Sequence, residues 1–195
     1  MNRLILITFF LSLLSCSIDR TIIATSETEN QTLLNFQKLQ KKSILKIADK
    51  NEPGEKLLLC LTFIDKESKR TLSNQLVKFY HTSTDGKYEP TDPSDESTAR
   101  LNGQSLTNNK GQIYIETILP GDYGSSADNR HIHTTVFGAH PEAYDIHFKQ
   151  YTTYMGTNFN EGSDQHFLAD LKKTKKNELV SFLIIEIKNP DQQKK

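Results

Sequence analysis

The sequence contains no tryptophan and only two cysteines among its 195 residues, and its 24 basic side chains balance its 24 acidic ones. Two cysteines, Cys16 and Cys60, are too few for a disulfide framework or a cysteine-rich metal site. A chain without net charge is not suited to hold nucleic acid by electrostatic attraction, so no nucleic-acid partner is expected. No run of about 18 apolar residues occurs, which argues against a stable membrane-spanning helix.

The first residues have the composition of an export signal. One basic residue, Arg3, precedes an apolar run over residues 4–14, a pattern typical of a secretory signal peptide. The run ends in Leu-Leu-Ser-Cys, which resembles the lipobox of bacterial lipoproteins, so Cys16 is the expected lipidation site and 1–15 the signal peptide. Ordinary cleavage near Ser15 is the alternative. We expect an exported bacterial lipoprotein, periplasmic or on the outer surface, held on the membrane by its lipid anchor.

Residues 16–55 are expected to form a tether followed by a short amphipathic helix. The segment up to residue 31 is polar, as in a flexible linker. Within 32–49, apolar residues recur at helical spacing on one face and lysines occupy the other. This helix could pack on the domain, lie on the membrane, or pair with a second subunit in a homodimer. Packing on the domain is the expected arrangement.

From residue 56 onward the pattern changes to that of β-strands. Strands are predicted at 57–64, 75–81, 112–119, 131–137 and 179–187, with turn clusters between them. Several strands without alternating helices predict an all-β fold, namely a β-sandwich of mainly antiparallel strands over 56–190, followed by a charged tail at 191–195. Cys60 lies in an apolar run and is expected to be a buried, inert thiol. The long polar connection over 82–110 is expected to carry functional residues.

Two histidines and two tyrosines are the residues best able to support chemistry. His131 and His133 are two residues apart in a predicted strand, so their side chains face the same side and can converge on one metal ion. Tyr88 and Tyr123 each follow a glycine-containing turn. Taken singly, the histidine pair is only weak support for a metal site, and each tyrosine fits a packing role with a satisfied hydroxyl.

Taken together, these residues resemble the intradiol ring-cleavage dioxygenases, which include the catechol and protocatechuate dioxygenases and smaller lipoprotein-like relatives. The resemblance covers roughly residues 57–148. It rests on an ordered set of motifs: Gly-Lys-Tyr ending at Tyr88, Thr-Ile-Leu-Pro-Gly-Asp-Tyr ending at Tyr123, and His-Ile-His from His131 to His133. Each motif is common alone, whereas the ordered set is much more specific.

The resemblance implies one ferric ion, Fe(3+), per chain, bound by Tyr88, Tyr123, His131 and His133. It implies an enzyme that inserts both atoms of O2 between the hydroxylated carbons of a catechol-type aromatic to give a muconate-type diacid. Tyr123 would be the catalytic tyrosinate, because it leaves the ion when substrate binds and then accepts a proton. Two tyrosinates would offset two of the three charges of the iron and favour its ferric state.

The sequence departs from the family next to the expected ligands. The arginine that the family usually places three residues before the first ligand histidine is Asp128 here, and Arg130 lies directly before His131 instead. Arg130 is therefore the candidate arginine for catalysis and for the substrate pocket. Strand alternation would turn it to the opposite face, unless a twist at the entry of the strand brings it in. His81 is a second candidate for the border of the pocket. The tryptophans that members often carry are missing.

Two other functions fit the same residues. A non-catalytic β-sandwich lipoprotein could bind an aromatic, glycan or protein ligand and retain the metal site as a relic, in line with the altered surroundings of the ligands. A zinc site made of the His131 and His133 pair with a carboxylate could support hydrolysis. In that case the two tyrosines would be dispensable.

Overall fold

The computed structural model describes residues 20–124, 126–152, 164–188 and 190. These residues form one α-helix, eleven strands and three single turns of 3-10 helix. The helix α1 spans Glu27–Phe36. The strands are β1 (Ile23–Ala24), β2 (Ile44–Lys46), β3 (Lys56–Asp65), β4 (Leu76–His81), β5 (Leu101–Leu106), β6 (Gln112–Ile118), β7 (His131–Val136), β8 (Ala143–Phe148), β9 (His166–Ala169), β10 (Lys172–Lys173) and β11 (Leu179–Ile187).

The strands form two sheets. The six-stranded sheet has the order β1-β10-β11-β3-β6-β2, and the five-stranded sheet has the order β5-β4-β7-β8-β9. Five of the nine strand pairings are antiparallel, and the other four are parallel. The main hydrophobic core draws alternate residues from both sheets and so lies between them. The predicted β-sandwich is therefore confirmed.

The alternation of buried residues explains why these segments pair as strands. Leu59 and Leu61 on β3 face the same core as Phe79 on β4 and Ile132 on β7, and all four side chains are fully buried. Burying a side chain of this size stabilises the fold by about 1.5–3 kcal/mol. Because His131 and His133 alternate with Ile132, they lie on the opposite face of the five-stranded sheet.

A second, smaller core covers the outer face of the six-stranded sheet. Leu33 and Phe36 of α1 pack against Leu58, Cys60 and Tyr114. The prediction that the helix packs on the domain is confirmed, and so is the burial of Cys60. Burial raises the pKa of the Cys60 thiol far above its ordinary value, which keeps it protonated and unreactive.

The helix does not have the predicted bounds. It begins at Glu27 because Ser26 caps it: the Ser26 hydroxyl accepts from Glu29 N, and the Glu29 carboxylate accepts from Ser26 N. After Phe36 the chain turns, and Ile44–Lys46 pairs in parallel with β6. The prediction of a helix over 32–49 was therefore wrong beyond Phe36, since Ile44–Lys46 forms a strand at the edge of the sheet. The described part of the segment expected to be a flexible tether contains β1 and the start of α1.

The connection over 82–110 is more ordered than predicted, because it includes the 3-10 turn Glu96–Thr98 and the edge strand β5. Strands β8 and β9 were also not predicted. Within the described ranges, no helix combines the length and apolar character needed to cross a membrane. The predicted signal peptide, Cys16 and the tail at 191–195 lie outside the described residues.

Candidate metal centre

Two loops that contact each other carry Tyr88 and Tyr123. One follows β4 and the other follows β6, and they are joined by a hydrogen bond from Gly121 N to Ser83 O at 2.9 Å. Gly86 has a φ of +78°, and a Cβ placed on it would lie 2.3 Å from Asp122 O. A Cβ on Gly121 would lie 2.5 Å from Thr84 O. Only glycine permits this approach, which places the rings of Tyr88 and Tyr123 5.3 Å apart.

The two histidines of β7 bring their Nε2 atoms close together. His131 Nε2 and His133 Nε2 lie 3.1 Å apart, and the Tyr88 hydroxyl lies 2.7 Å from His133 Nε2. Two atoms that each bind one ion at about 2.1 Å, at right angles, are separated by about 3 Å. The two separations around His133 Nε2 are close to this value, as expected for ligands of a single metal ion.

The other nitrogen of each ring is engaged by an oxygen acceptor. His133 Nδ1 lies 2.7 Å from Asp145 Oδ1, and His131 Nδ1 lies 3.2 Å from the backbone oxygen of Asn129. Both oxygens accept hydrogen bonds, so they favour the tautomer in which each Nδ1 carries the proton and each Nε2 presents its lone pair. In that tautomer the two lone pairs face each other at 3.1 Å, an arrangement that a cation between them stabilises. Contacts of this kind, from the second ring nitrogen to an oxygen, are those that orient histidines as metal ligands.

The electrostatics of the histidines and tyrosines also suit a cation. Burial, followed by the neighbouring His133, lowers the pKa of His131, so this ring is neutral and available as a ligand. Burial and then the charge of Glu96 raise the pKa of Tyr88 above its ordinary value. The nearby Glu96 is also the main cause of the raised pKa of Tyr123. Both phenols therefore stay protonated at neutral pH unless a strong Lewis acid displaces the proton.

The two tyrosines differ in their exposure. Tyr88 is buried at 8% exposure, and Tyr123 is 38% exposed. The Tyr123 ring lies edge-on to His131 at 5.8 Å, while its hydroxyl donates to Glu96 Oε1 at 3.3 Å. The hydroxyl of Tyr123 thus has a hydrogen-bond partner, Glu96, other than the two histidine nitrogens and the Tyr88 hydroxyl. Imidazole is a donor that iron accepts, and phenolate oxygen suits a trivalent ion, so the residue types of these four side chains fit ferric iron.

The two candidates for the substrate pocket, Arg130 and His81, both contact other groups in the structure. The Arg130 guanidinium stacks over the Tyr151 ring at 4.1 Å, and its Nε donates to Asp122 Oδ1 at 3.3 Å. His81 is fully buried, and its ring nitrogens contact Thr82 O and Thr117 Oγ1, each at 2.7 Å. Because no part of His81 is accessible, it supports the base of the two loops and cannot border a substrate.

Sequence reasoning missed Asp145, which lies behind the two histidines together with His147. Asp145 lies opposite His133 in the pairing of β7 with β8, and His147 lies opposite His131. The His147 ring stacks on the His131 ring at 5.1 Å. The alternation of Tyr144, Ile146 and Phe148 was a signal for β8, and with the turn at residues 137–142 it would have placed Asp145 and His147 beside the ligands.

Comparison with known proteins locates the chain in one family. The family profile described as Dioxygenase matches residues 32–195. Catechol 1,2-dioxygenase of Acinetobacter baylyi is 36% identical over 78 residues, which are 39% of this chain and 25% of that protein. The chain thus aligns with about a quarter of the length of this curated relative.

Two solved structures share the fold. Catechol 1,2-dioxygenase from Pseudomonas arvilla C-1 has a TM-score of 0.59 at 16% identity, over 77% of this chain and 58% of that chain. The dioxygenase domain of a dioxygenase carbohydrate-binding protein fusion from Streptomyces sp. SirexAA-E has a TM-score of 0.55 at 17% identity, over 76% of this chain and 90% of that chain. Since the family profile covers most of the sequence, the chain belongs to the intradiol ring-cleavage dioxygenase family.

Proposed function

We propose that this protein is an intradiol-type dioxygenase that holds one Fe(3+) per chain through Tyr88, Tyr123, His131 and His133. Its substrates would be O2 and a catechol-type aromatic, cleaved between the hydroxylated carbons to a muconate-type diacid. One observation carries the proposal: His133 Nε2 lies 3.1 Å from His131 Nε2 and 2.7 Å from the hydroxyl of Tyr88.

Bound ferric iron would supply the Lewis acidity that draws electron density from a catecholate and prepares its ring for attack by O2. The chain orients the ligands for this task. Asp145 fixes the His133 ring through Nδ1, and Tyr80 stacks on the same ring at 4.6 Å. His147 supports the His131 ring by stacking. Because these contacts involve strands of one sheet, the two imidazoles are held in place before any ligand arrives.

Tyr123 is suited to exchange its place with a substrate. Its side chain is the more exposed of the two tyrosines, and Glu96 Oε1 lies 3.3 Å from its hydroxyl. When the Tyr123 oxygen takes up a proton from the substrate, it can donate that proton in a hydrogen bond to Glu96. Tyr88 is buried beside His133, so it is positioned to remain in place.

Metal loading with an absorption spectrum tests this function. Protein reconstituted with Fe(3+) should contain one iron per chain, absorb visible light through tyrosinate-to-iron charge transfer, and consume O2 when simple catechols are added. Tyr88→Phe should lose most of the colour and the iron. Tyr144→Phe is the matched control, because its hydroxyl contacts the backbone of Lys188 in the core. An iron-replete wild-type protein without colour would contradict the proposal.

The altered position of the arginine supports a second candidate, a non-catalytic lipoprotein that binds an aromatic ligand. Arg130 contacts the Tyr151 ring and the Asp122 carboxylate, so its guanidinium already has two partners. This alternative predicts that catechols change the colour of the iron protein without any consumption of O2. A hydrolytic zinc site predicts instead that Tyr88→Phe retains its metal.

We propose further that the protein is exported and that Cys16 carries a lipid anchor. The support is the apolar run over 4–14 and the Leu-Leu-Ser-Cys sequence that follows it. Metabolic labelling with a fatty acid in a bacterial host should mark the wild type, which should fractionate with membranes. Cys16→Ser should lose both the label and the membrane association, and a labelled Cys16→Ser variant would refute the assignment.

A further inference from the structure

A second cluster of potential metal ligands lies next to the iron ligands. Asp145 and His147 point to the same face of β8, since they are two residues apart. The parallel register of β8 with β9 places His166 opposite Asp145. One ligand atom from each of these three residues lies within 4.8 Å of the others. The proposed dioxygenase reaction uses none of them as a ligand.

The carboxylate of Asp145 connects the cluster to the iron ligands. Its Oδ1 accepts the hydrogen bond from His133 Nδ1 at 2.7 Å, while its Oδ2 lies 3.7 Å from His166 Nε2. One oxygen therefore orients an iron ligand and the other faces the cluster.

The two histidines of the cluster differ in their access to solvent. His147 is buried between the His131 ring at 5.1 Å and the His166 ring at 5.2 Å. The side chain of His166 is 34% exposed, so it opens the cluster to solvent. Ligands of one ion with bonds of about 2.1 Å lie about 3–4 Å apart, and the 3.7 Å between His166 Nε2 and Asp145 Oδ2 falls in that range.

We propose that Asp145, His147 and His166 bind a divalent cation of the zinc class, in addition to the iron. Two imidazoles and one carboxylate are a donor set that zinc and chemically similar ions accept. The remaining positions of the ion would hold water on the exposed side of His166. Zinc neither gives nor takes electrons, so the ion would act through its charge.

The shared carboxylate couples the two ions, a consequence that rests on the proposed function. A cation on Asp145 Oδ2 withdraws charge from Oδ1 and weakens the hydrogen bond that Oδ1 accepts from His133. The His133 nitrogen then donates less charge to the iron. Binding of the divalent ion should therefore shift the tyrosinate-to-iron absorption band of the iron-loaded protein.

Cobalt titration of the full chain tests the site. Co2+ replaces zinc in such sites and has its own visible absorption, so binding is followed by spectrum and by equilibrium dialysis with elemental analysis. Iron-loaded wild type should bind one further Co2+ per chain. His166→Gln should bind that ion at least about tenfold more weakly. His140→Gln, the same substitution at an exposed histidine outside the cluster, should bind as the wild type does.

Two results would overturn the proposal: iron-loaded wild type that binds no further Co2+, or a His166→Gln variant that binds it as tightly as wild type. Circular dichroism and the melting temperature establish that His166→Gln is folded. In metal-free protein as well, His166→Gln is expected to bind one Co2+ fewer than the wild type. If the protein does not bind iron, the proposed function is refuted, and the comparison of Co2+ binding between wild type and His166→Gln still tests the second site.

Discussion

Replacement of Asp145 by asparagine separates the charge of this residue from its shape. Asp145 Oδ1 accepts from His133 Nδ1 at 2.7 Å, and an asparagine amide oxygen can accept the same hydrogen bond. The substitution therefore preserves the orientation of the ring and removes the negative charge behind it. Because the pKa of Asp145 is below its ordinary value, the wild-type carboxylate is ionised throughout the neutral range.

The expected effect falls on iron affinity. Hydrogen bonds to a charged partner are roughly twice as strong as neutral ones. Loss of a carboxylate behind a ligand histidine weakens metal binding about 10–100-fold. This range corresponds to about 1.4–2.7 kcal/mol of binding free energy. The fold should be little affected, since the side chain of Asp145 is partly exposed and its hydrogen bond is retained.

Competition with an iron chelator measures this effect. The visible absorption of the iron-loaded protein reports occupancy, and the titration is done without divalent ions so that only the iron site contributes. Asp65→Asn is the matched control, because Asp65 lies at the end of β3 in the other sheet and accepts a hydrogen bond from Ser68 N. An Asp145→Asn protein that holds iron as tightly as wild type would refute the role of the charge.

Four further predictions concern the scaffold. Burial lowers the pKa of His81 from 6.5 to about 4, so the unfolded chain binds the proton more readily, and the free energy of unfolding should fall by up to about 3 kcal/mol between pH 6.5 and 4. In His81→Gln, the free energy of unfolding measured by urea denaturation should depend less steeply on pH. A pH dependence equal to that of the wild type would contradict this prediction. Phe79→Ala should cost about 3–5 kcal/mol in the same assay, because the ring is fully buried between the sheets. Ser26→Ala should cost about 1 kcal/mol through loss of the helix cap, and Ser26→Asp should restore it. In a Cys16→Ser background, Cys60 should react with a thiol reagent at pH 8 only after denaturation, and rapid reaction of the native protein would show that the thiol is accessible.

Strands with a strong hydrophobic pattern were predictable from the sequence. The last strand, Leu179–Ile187, has the predicted bounds, and β3 differs from its prediction by one residue at each end. Strand β5 was missed because it lies at the edge of its sheet and buries only Leu101 and Ser105, so its sequence has no apolar alternation. The helix was extended wrongly because Ile44 and Ile47, three residues apart, fit helical spacing, whereas in the structure Ile44 packs against the outer core and Ile47 against the core between the sheets.

The grouping of the four predicted ligands followed from short motifs, whereas their surroundings depended on strand register. Tyr88, Tyr123, His131 and His133 lie in the motifs that the sequence displays. The contact of His133 with Asp145 arises from the antiparallel pairing of β7 with β8, and that of Asp145 with His166 from the parallel pairing of β8 with β9. Register of this kind is set by the whole sheet and is not encoded in any one motif.

The division of the candidate ligands between sheet and loops gives a physical reason for their expected roles. The two histidines are held by a strand that pairs on both sides, and each ring has a partner on β8. The two tyrosines come from loops that are joined by close contacts at Gly86 and Gly121, and only Tyr123 combines exposure with a second hydrogen-bond partner. A ligand can be exchanged for a substrate at low cost only if its polar atom is satisfied in both positions. Among the four candidate ligands, Tyr123 meets that condition, because Glu96 Oε1 accepts a hydrogen bond from its hydroxyl.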